Sequence, residues 1–235
     1  AAKVANVPVV VGTLPGLGSL YAENLFTTRL LRTVYEPIQR LACHQSNLTI
    51  FQNSEDANQF VKAGMVPEHR IAILPGSGVE TKYYDPSTIK KEFQKQLRTE
   101  LGIQKADVIV IMISRLIRSK GVLELSETAK IVCKKCPDAK FLLVGPIDPF
   151  SVDALSEPEM REIQKSVAWL GPRKDVVNLL SISDVFAFPT YYREGIPRVL
   201  LEAASMALPI VATQSAGCTE IVEHNRNGFL VPQRD

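Results

Sequence analysis

The chain has 235 residues, of which 46% are hydrophobic and 22% charged, with a net charge of +2. That length suits one large domain or two small ones, and so small a charge excludes nucleic acid as the main partner. No apolar run reaches the ~18 residues that a membrane-crossing helix needs, and "AAKVANVPVVVGTLPG" runs straight into a Gly/Pro turn, so it reads as a strand rather than a signal peptide.

In chain order, "VPVVVGT" (7–13) predicts a buried strand, and the stretch from Ser19 to Ser46 predicts a helix broken near Pro37. "LTIFQN" (48–53) is a second strand, "SEDANQFVKAG" a capped helix with Ser54 as the cap at its start and Gly64 at its end, and "IAILPG" (71–76) a third strand. The charged segment that follows, up to about residue 106, predicts a linker and a short exposed helix.

A second series begins with "DVIVIMIS" (107–114), an uninterrupted apolar run of the kind found in parallel sheets covered on both faces. Helix "GVLELSETAKIVCKKC", strand "KFLLVG", strand "SVAWLG", helix "RKDVVNLLSIS", strand "DVFAFPT", helix "GIPRVLLEAASMA", strand "PIVAT", short helix "CTEIVE" and strand "NGFLVP" follow. Alternating β and α segments with short turns predict α/β architecture and a doubly wound parallel sheet. The expected organisation is a partial first Rossmann-like domain over 1–86, a linker with a short helix over 87–106, and a nearly complete second domain over 107–235. Three strands make a small independent core, so the first domain is expected to be incomplete, and a closing helix is expected beyond the last strand.

Cys133 and Cys136 form a C-x-x-C, which suits a redox pair or half a zinc site. With no second C-x-x-C and with His44, His69 and His224 scattered, the preferred reading is two reduced thiols late in a helix, in a reducing cytosolic setting.

Two loops carry candidate chemistry. In open α/β sheets ligands bind beyond the carboxyl ends of the strands. "YYREG" leaves such a strand and places Glu194 there; the following helix, starting near Pro197, offers N–H groups of Gly195, Ile196 and their neighbours to an anion. Glu202 lies eight residues on, about 12 Å at ~1.5 Å per residue, which suits the distance between the sugar and the ribose of a nucleotide-diphospho-sugar. An ordinary loop glutamate and a solvated helix glutamate are the alternative, although Val199, Leu200, Leu201, Ala203 and Ala204 leave only a narrow solvated face. The second loop, "SRLIRSKG" (114–121), brings Arg115, Arg118 and Lys120 to another strand end, where cations would stabilise a departing diphosphate; a solvated turn is its plain alternative.

Taken in order, "EGIPRVLLEAASMALPIVATQSAGCTEIVEHNRNGFLVP", "SRL…KG", "FLLVG" and "WLGPRKDVVNLLSISDVFAFPT" resemble the donor-site block of family 4 retaining glycosyltransferases, which have the GT-B fold of two Rossmann-like domains. "GSGVETKYYDP" is similar to the segment leaving that family's first domain, and "VVVGTLPGLGSLY" to members acting on polyprenyl-diphosphate-linked sugars. The resemblance implies that Arg115 and Lys120 bind the donor diphosphate and Glu194 contacts the transferred sugar with the backbone of Gly195, Ile196 and Pro197. It also implies that Glu202 binds the ribose, that Gly171, Pro172 and Arg173 border the base, and that Gly16 and Gly18 lie near the acceptor, although a plain helix-entry turn is the other reading of that glycine pair. No metal is expected, and the sequence has no D-x-D.

The implied activity is transfer of a hexose or N-acetylhexosamine, with retention, from a UDP-sugar to a glycan or lipid-linked acceptor by a cytoplasmic protein. A non-catalytic nucleotide-sugar-binding fragment and a sugar-nucleotide epimerase of the same fold share the pattern. The family's early glycine-rich loop and histidine-bearing segment have no counterpart here. Leu25, Phe26, Arg29, Leu30, Leu31, Arg32 and Tyr35 suit a peripheral contact with the inner face of a membrane, or a core-facing amphipathic helix.

Overall fold

The computed structural model describes residues 2, 5–22 and 26–234, and only the backbone of residues 19, 22, 26 and 27. The chain begins with strand β1 (Val11–Leu14), helices α1 (Ser19–Ala22) and α2 (Phe26–Gln45), strand β2 (Leu48–Phe51), helix α3 (Ser54–Lys62) and strand β3 (Ile71–Ile73). The three strands are parallel in the order β1-β2-β3. Their core is Phe51 edge-on to Phe60, with ring centroids 5.2 Å apart, surrounded by Leu17, Cys43, Met65 and Val66.

Three local expectations change. The first strand starts only at Val11, and its side chains alternate between exposed and half-buried, because among the described residues only β2 pairs with it. Helix α2 runs through Pro37 for 20 residues; one lost hydrogen bond and a local clash, about 3 kcal/mol, do not stop a helix that is well formed on both sides. Asn53, rather than Ser54, caps α3: its side chain accepts the Asp56 N–H at 2.7 Å, and asparagine caps as well as serine.

The second series comprises helix α4 (Lys91–Glu100), strand β4 (Val108–Ile113), helix α5 (Val122–Lys135), strand β5 (Ala139–Val144), helix α6 (Glu157–Ile163), strand β6 (Ala168–Trp169), helix α7 (Val176–Ser181), strand β7 (Val185–Phe188), helix α8 (Arg198–Ser205), strand β8 (Ile210–Thr213), helix α9 (Ala216–Thr219) and strand β9 (Gly228–Val231). Its six strands are all parallel, in the order β6-β5-β4-β7-β8-β9. Strand β4 is central, pairing with β5 and with β7, and the run Val108–Ile113 is apolar throughout because both of its faces are covered: Ile109 and Ile111 on one and Met112 on the other are fully buried. Strand order reverses between β4 and β7, so the carboxyl ends of these two strands form the topological switch point where such sheets take ligands.

Internal packing divides the chain into two units: Ala1–Gly78 with Tyr192–Pro197 and Ser215–Glu220, and Val79–Tyr191 with Arg198–Gln214 and Ile221–Asp235. The charged segment after β3 belongs to the second unit. There Gln94 of α4 donates to the Ser181 carbonyl and Arg98 to the carbonyls of Ile182 and Asp107.

Candidate functional site

The loop leaving β4 is built around a short 3₁₀ turn, Arg118–Lys120, that ends at Gly121. Gly121 has φ +81, and a Cβ there would come within 2.1 Å of the Pro189 carbonyl oxygen, so glycine alone lets this turn lie against the end of β7. The Ser119 carbonyl accepts from the Tyr191 N–H at 2.8 Å and from the Thr190 hydroxyl at 3.2 Å, tying the two switch-point strand ends together. The Ser119 N–H donates to Asp153 at 3.0 Å. Burial pushes the Asp153 carboxyl up, but hydrogen bonds from Ser119 and Ser151 outweigh burial and hold it below the usual range.

The three cations of this loop have different surroundings. Lys120 is 7% exposed, with its ammonium 5.5 Å from the Phe188 ring centroid. Arg115 is half exposed and pairs with Asp148 at 2.7 Å. Arg118 makes a two-pronged pair with Glu159, at 2.9 and 2.6 Å, and also donates to the Ala154 carbonyl. Its guanidinium is spent on the start of α6, where Glu159 also closes a capping box with Ser156.

Glu202 sits in the second turn of α8. Its side chain is 12% exposed and meets Arg198, one turn earlier, at 3.1 Å. The Tyr84 hydroxyl also hydrogen-bonds it; burial first, and then this carboxylate, push the Tyr84 phenol up to about 12. Tyr84 is itself buried, and its carbonyl accepts from the Ser205 hydroxyl at 2.6 Å. Sequence reasoning passed over Tyr84; its place in "KYYDP", the segment similar to the exit from the first domain, was the available signal. Gly171 follows β6 with φ +69, and Arg173 is locked onto Asp175 by two bonds of 2.7 and 2.6 Å. Trp169, the sole tryptophan of the sequence, donates from Nε1 to the Gly145 carbonyl at 3.0 Å.

The first unit contains Gly16, Gly18 and the loop Tyr192–Pro197. The Gly18 N–H donates to the Arg193 carbonyl at 2.8 Å, and the Ile196 N–H to Gln52 Oε1 at 2.9 Å, so that amide is engaged by protein. Gly195 is buried; a Cβ there would lie 2.0 Å from the Pro15 oxygen. A cavity of about 210 Å³ is lined by Pro15, Gly16, Gly18, Arg193 and the half-buried Glu194.

The described cysteines form no disulfide with one another; Cys43 and Cys218 are buried and Cys136 is exposed. On α2 the apolar stripe faces outward: Leu30, Leu31, Val34, Ile38 and Leu41 are each about 60% exposed. Arg32 instead turns onto the Leu20 carbonyl at 2.7 Å and over the Tyr21 ring. Leu25 and the side chain of Phe26 lie outside the described residues. Among the described residues, no helix is long and apolar enough to cross a membrane.

Solved structures with this chain path are GT-B glycosyltransferases, and the fold is therefore GT-B. Anabaena HepE, solved with UDP-glucose, superposes with a TM-score of 0.80 at 25% identity, over 100% of this chain and 61% of its own. WaaG, a lipopolysaccharide-biosynthesis glycosyltransferase, has a TM-score of 0.67 at 20% identity. The family described as Glycosyl transferases group 1 matches residues 93–235, and the chain belongs to that family. Among curated relatives, the N,N'-diacetylbacillosaminyl-diphospho-undecaprenol alpha-1,3-N-acetylgalactosaminyltransferase of Campylobacter jejuni is 31% identical over 97% of this chain. The UDP-Gal:alpha-D-GlcNAc-diphosphoundecaprenol alpha-1,3-galactosyltransferase of Escherichia coli is 28% identical over all of it. The chain spans 58% and 59% of the length of these two relatives.

Proposed function

We propose that this chain supplies the nucleotide-sugar site of a retaining glycosyltransferase, which moves a hexose or N-acetylhexosamine from a UDP-sugar to a polyprenyl-diphosphate-linked glycan. The observation that carries the reading is Lys120, an ammonium buried at the carboxyl end of the central strand β4. A positive charge set at this switch point suits a diphosphate, whose oxygens accept charge-assisted hydrogen bonds. Two further findings support it: relatives are named for undecaprenyl-diphosphate acceptors, and HepE was solved with UDP-glucose.

In this reading Lys120 and Arg115 bind the diphosphate and stabilise it as it leaves, Arg115 turning from Asp148 to do so. No metal is required for that charge. Glu202, held by Tyr84 and Arg198, accepts the ribose hydroxyls. Gly171, Pro172 and Arg173 border the base. Glu194 takes hydroxyls of the transferred sugar, flanked by Gly195, Ile196 and Pro197, and Gly16 and Gly18 lie toward the acceptor. The diphosphate departs from the face that the acceptor hydroxyl approaches, which retains configuration. The outward apolar stripe of α2, with Arg29 and Arg40 beside it, suits contact with the inner face of a membrane that holds the acceptor.

Calorimetric titration with UDP tests the reading. Wild type binds UDP, and Lys120→Ala weakens binding by about 1.5–3 kcal/mol, the range for hydrogen bonds to charged groups. Equal UDP affinity in the two proteins removes Lys120 from the site. Release of UDP from a UDP-sugar only when acceptor is added separates transfer from simple binding, and sugar interconversion without acceptor would identify an epimerase.

A further inference from the structure

The loop that carries Glu194 is fixed on both sides of that residue, by the first turns of α3 on one side and by Gln52, just after β2, on the other. Before it, Arg193 Nη2 donates to Asp56 Oδ1 at 2.7 Å and to Gln59 Oε1 at 2.9 Å, while Nη1 meets Glu55 at 3.2 Å. After it, the Ile196 N–H donates to Gln52 Oε1 at 2.9 Å. The backbone is held as well, since the Arg193 carbonyl accepts from the Gly18 N–H. Gly195 fits only without a side chain: a Cβ would come 2.2 Å from Gln52 Oε1, and at Gly217 one would come 1.8 Å from the Gly195 carbonyl oxygen.

The Asp56 side chain is 3% exposed, and its two oxygens have separate tasks. Oδ2 accepts from the Asn53 amide at 3.0 Å, which completes the cap of α3, and Oδ1 faces Arg193. The helix is thus capped without help from the loop. A buried ion pair adds little net stability over an apolar pair of the same size; what it adds is a specified geometry, and here the geometry belongs to the residue next to Glu194.

We infer that Asp56 and Gln52 are positioning residues for Glu194, holding Arg193 and the Ile196 N–H so that its carboxylate meets the transferred sugar. This rests on the proposed role of Glu194. Misplacing a substrate-holding group by about 1 Å is enough to forfeit most of what it contributes.

The test has two arms, made on wild type, Asp56→Asn, Arg193→Gln and the double variant, with far-UV circular dichroism confirming that each folds. Hydrogen exchange at the Gly18 and Ile196 amides reads the loop without any ligand. Affinities for UDP and for the hexose or N-acetylhexosamine UDP-sugar that wild type binds most tightly read the sugar increment. Expected are protection at both amides reduced about tenfold in either single variant, UDP affinity changed less than about twofold, a sugar increment reduced about tenfold, and a double variant no worse than either single. Arg193→Lys, which keeps the charge and loses the fork, recovers part of the increment. Unchanged protection in Asp56→Asn and in Arg193→Gln overturns the lock. Lost protection with an intact sugar increment overturns the positioning role. If wild type prefers no UDP-sugar over UDP, the reading of Glu194 falls instead, and the exchange arm still decides whether the lock exists.

Discussion

Glu202 shows how a residue's neighbours decide what it can do. On α8 alone it would be a surface glutamate with an i,i+4 arginine, a pair worth only a few tenths of a kcal/mol. The buried Tyr84 hydroxyl changes that: one lone pair of the carboxylate is taken by a neutral donor that stays protonated well past neutral pH, and the side chain keeps one orientation. If Glu202 accepts ribose hydroxyls, Tyr84→Phe should relax that orientation. The expected outcome is that the preference for UDP over 2′-deoxy-UDP falls about threefold to tenfold, the worth of one hydrogen bond, while affinity for inorganic pyrophosphate is unchanged. An equal preference in wild type and variant would separate Tyr84 from ribose binding.

Helix α6 has only seven residues and is fastened at its first turn. Glu159 closes the capping box with Ser156 and receives both prongs of Arg118. The Ser156 hydroxyl first, and Arg118 next, hold its carboxyl down to about 2 from an ordinary 4.5. A carboxyl depressed in the folded state contributes stability that is present above pH 4.5 and lost as pH falls toward 2. Glu159→Gln keeps the box, which glutamine also closes, but gives up the charge facing Arg118, so it should lower stability at pH 7 by about 0.5–1 kcal/mol and flatten the loss of melting temperature between pH 4.5 and 2.5. Thermal melts at those two pH values measure both effects. An acid limb as steep as that of wild type would mean that the Ser156–Glu159–Arg118 arrangement does not form in solution. The same fastening fixes the entry of the cationic turn, because Arg118 opens it.

At the scale of the whole molecule, the division into two units makes a single melting temperature an incomplete description. Trp169, in β6 of the second unit, reports that unit alone, and it lies two residues before Gly171. UDP at a hundred times its dissociation constant should stabilise the transition seen by Trp169 by about 2.7 kcal/mol, readable as a shift of the urea midpoint. The fluorescence of the folded protein should also change on titration. A midpoint indifferent to UDP would argue that the second unit does not carry the nucleotide site.

Much of this protein could be read from local order along the chain. The β-rich runs separated by helical periods define parallel sheets, since strands buried on both faces must be apolar throughout and parallel strands need crossovers. The succession from "SRL…KG" to "NGFLVP" was enough to suggest the family. Lys120 and Gly121 drew attention because strand ends are where α/β proteins take ligands, and Glu202 because of its spacing from Glu194. The tertiary structure decided what local spacing cannot carry. It showed that Arg118 is consumed by Glu159, that Arg115 already has a partner in Asp148, and that Glu202 is held by Tyr84 from a distant segment. It also showed that Tyr192–Pro197 packs with the first unit. In each case the deciding partner is remote in sequence, and hydrogen bonds and ion pairs between remote residues leave no periodic trace along the chain.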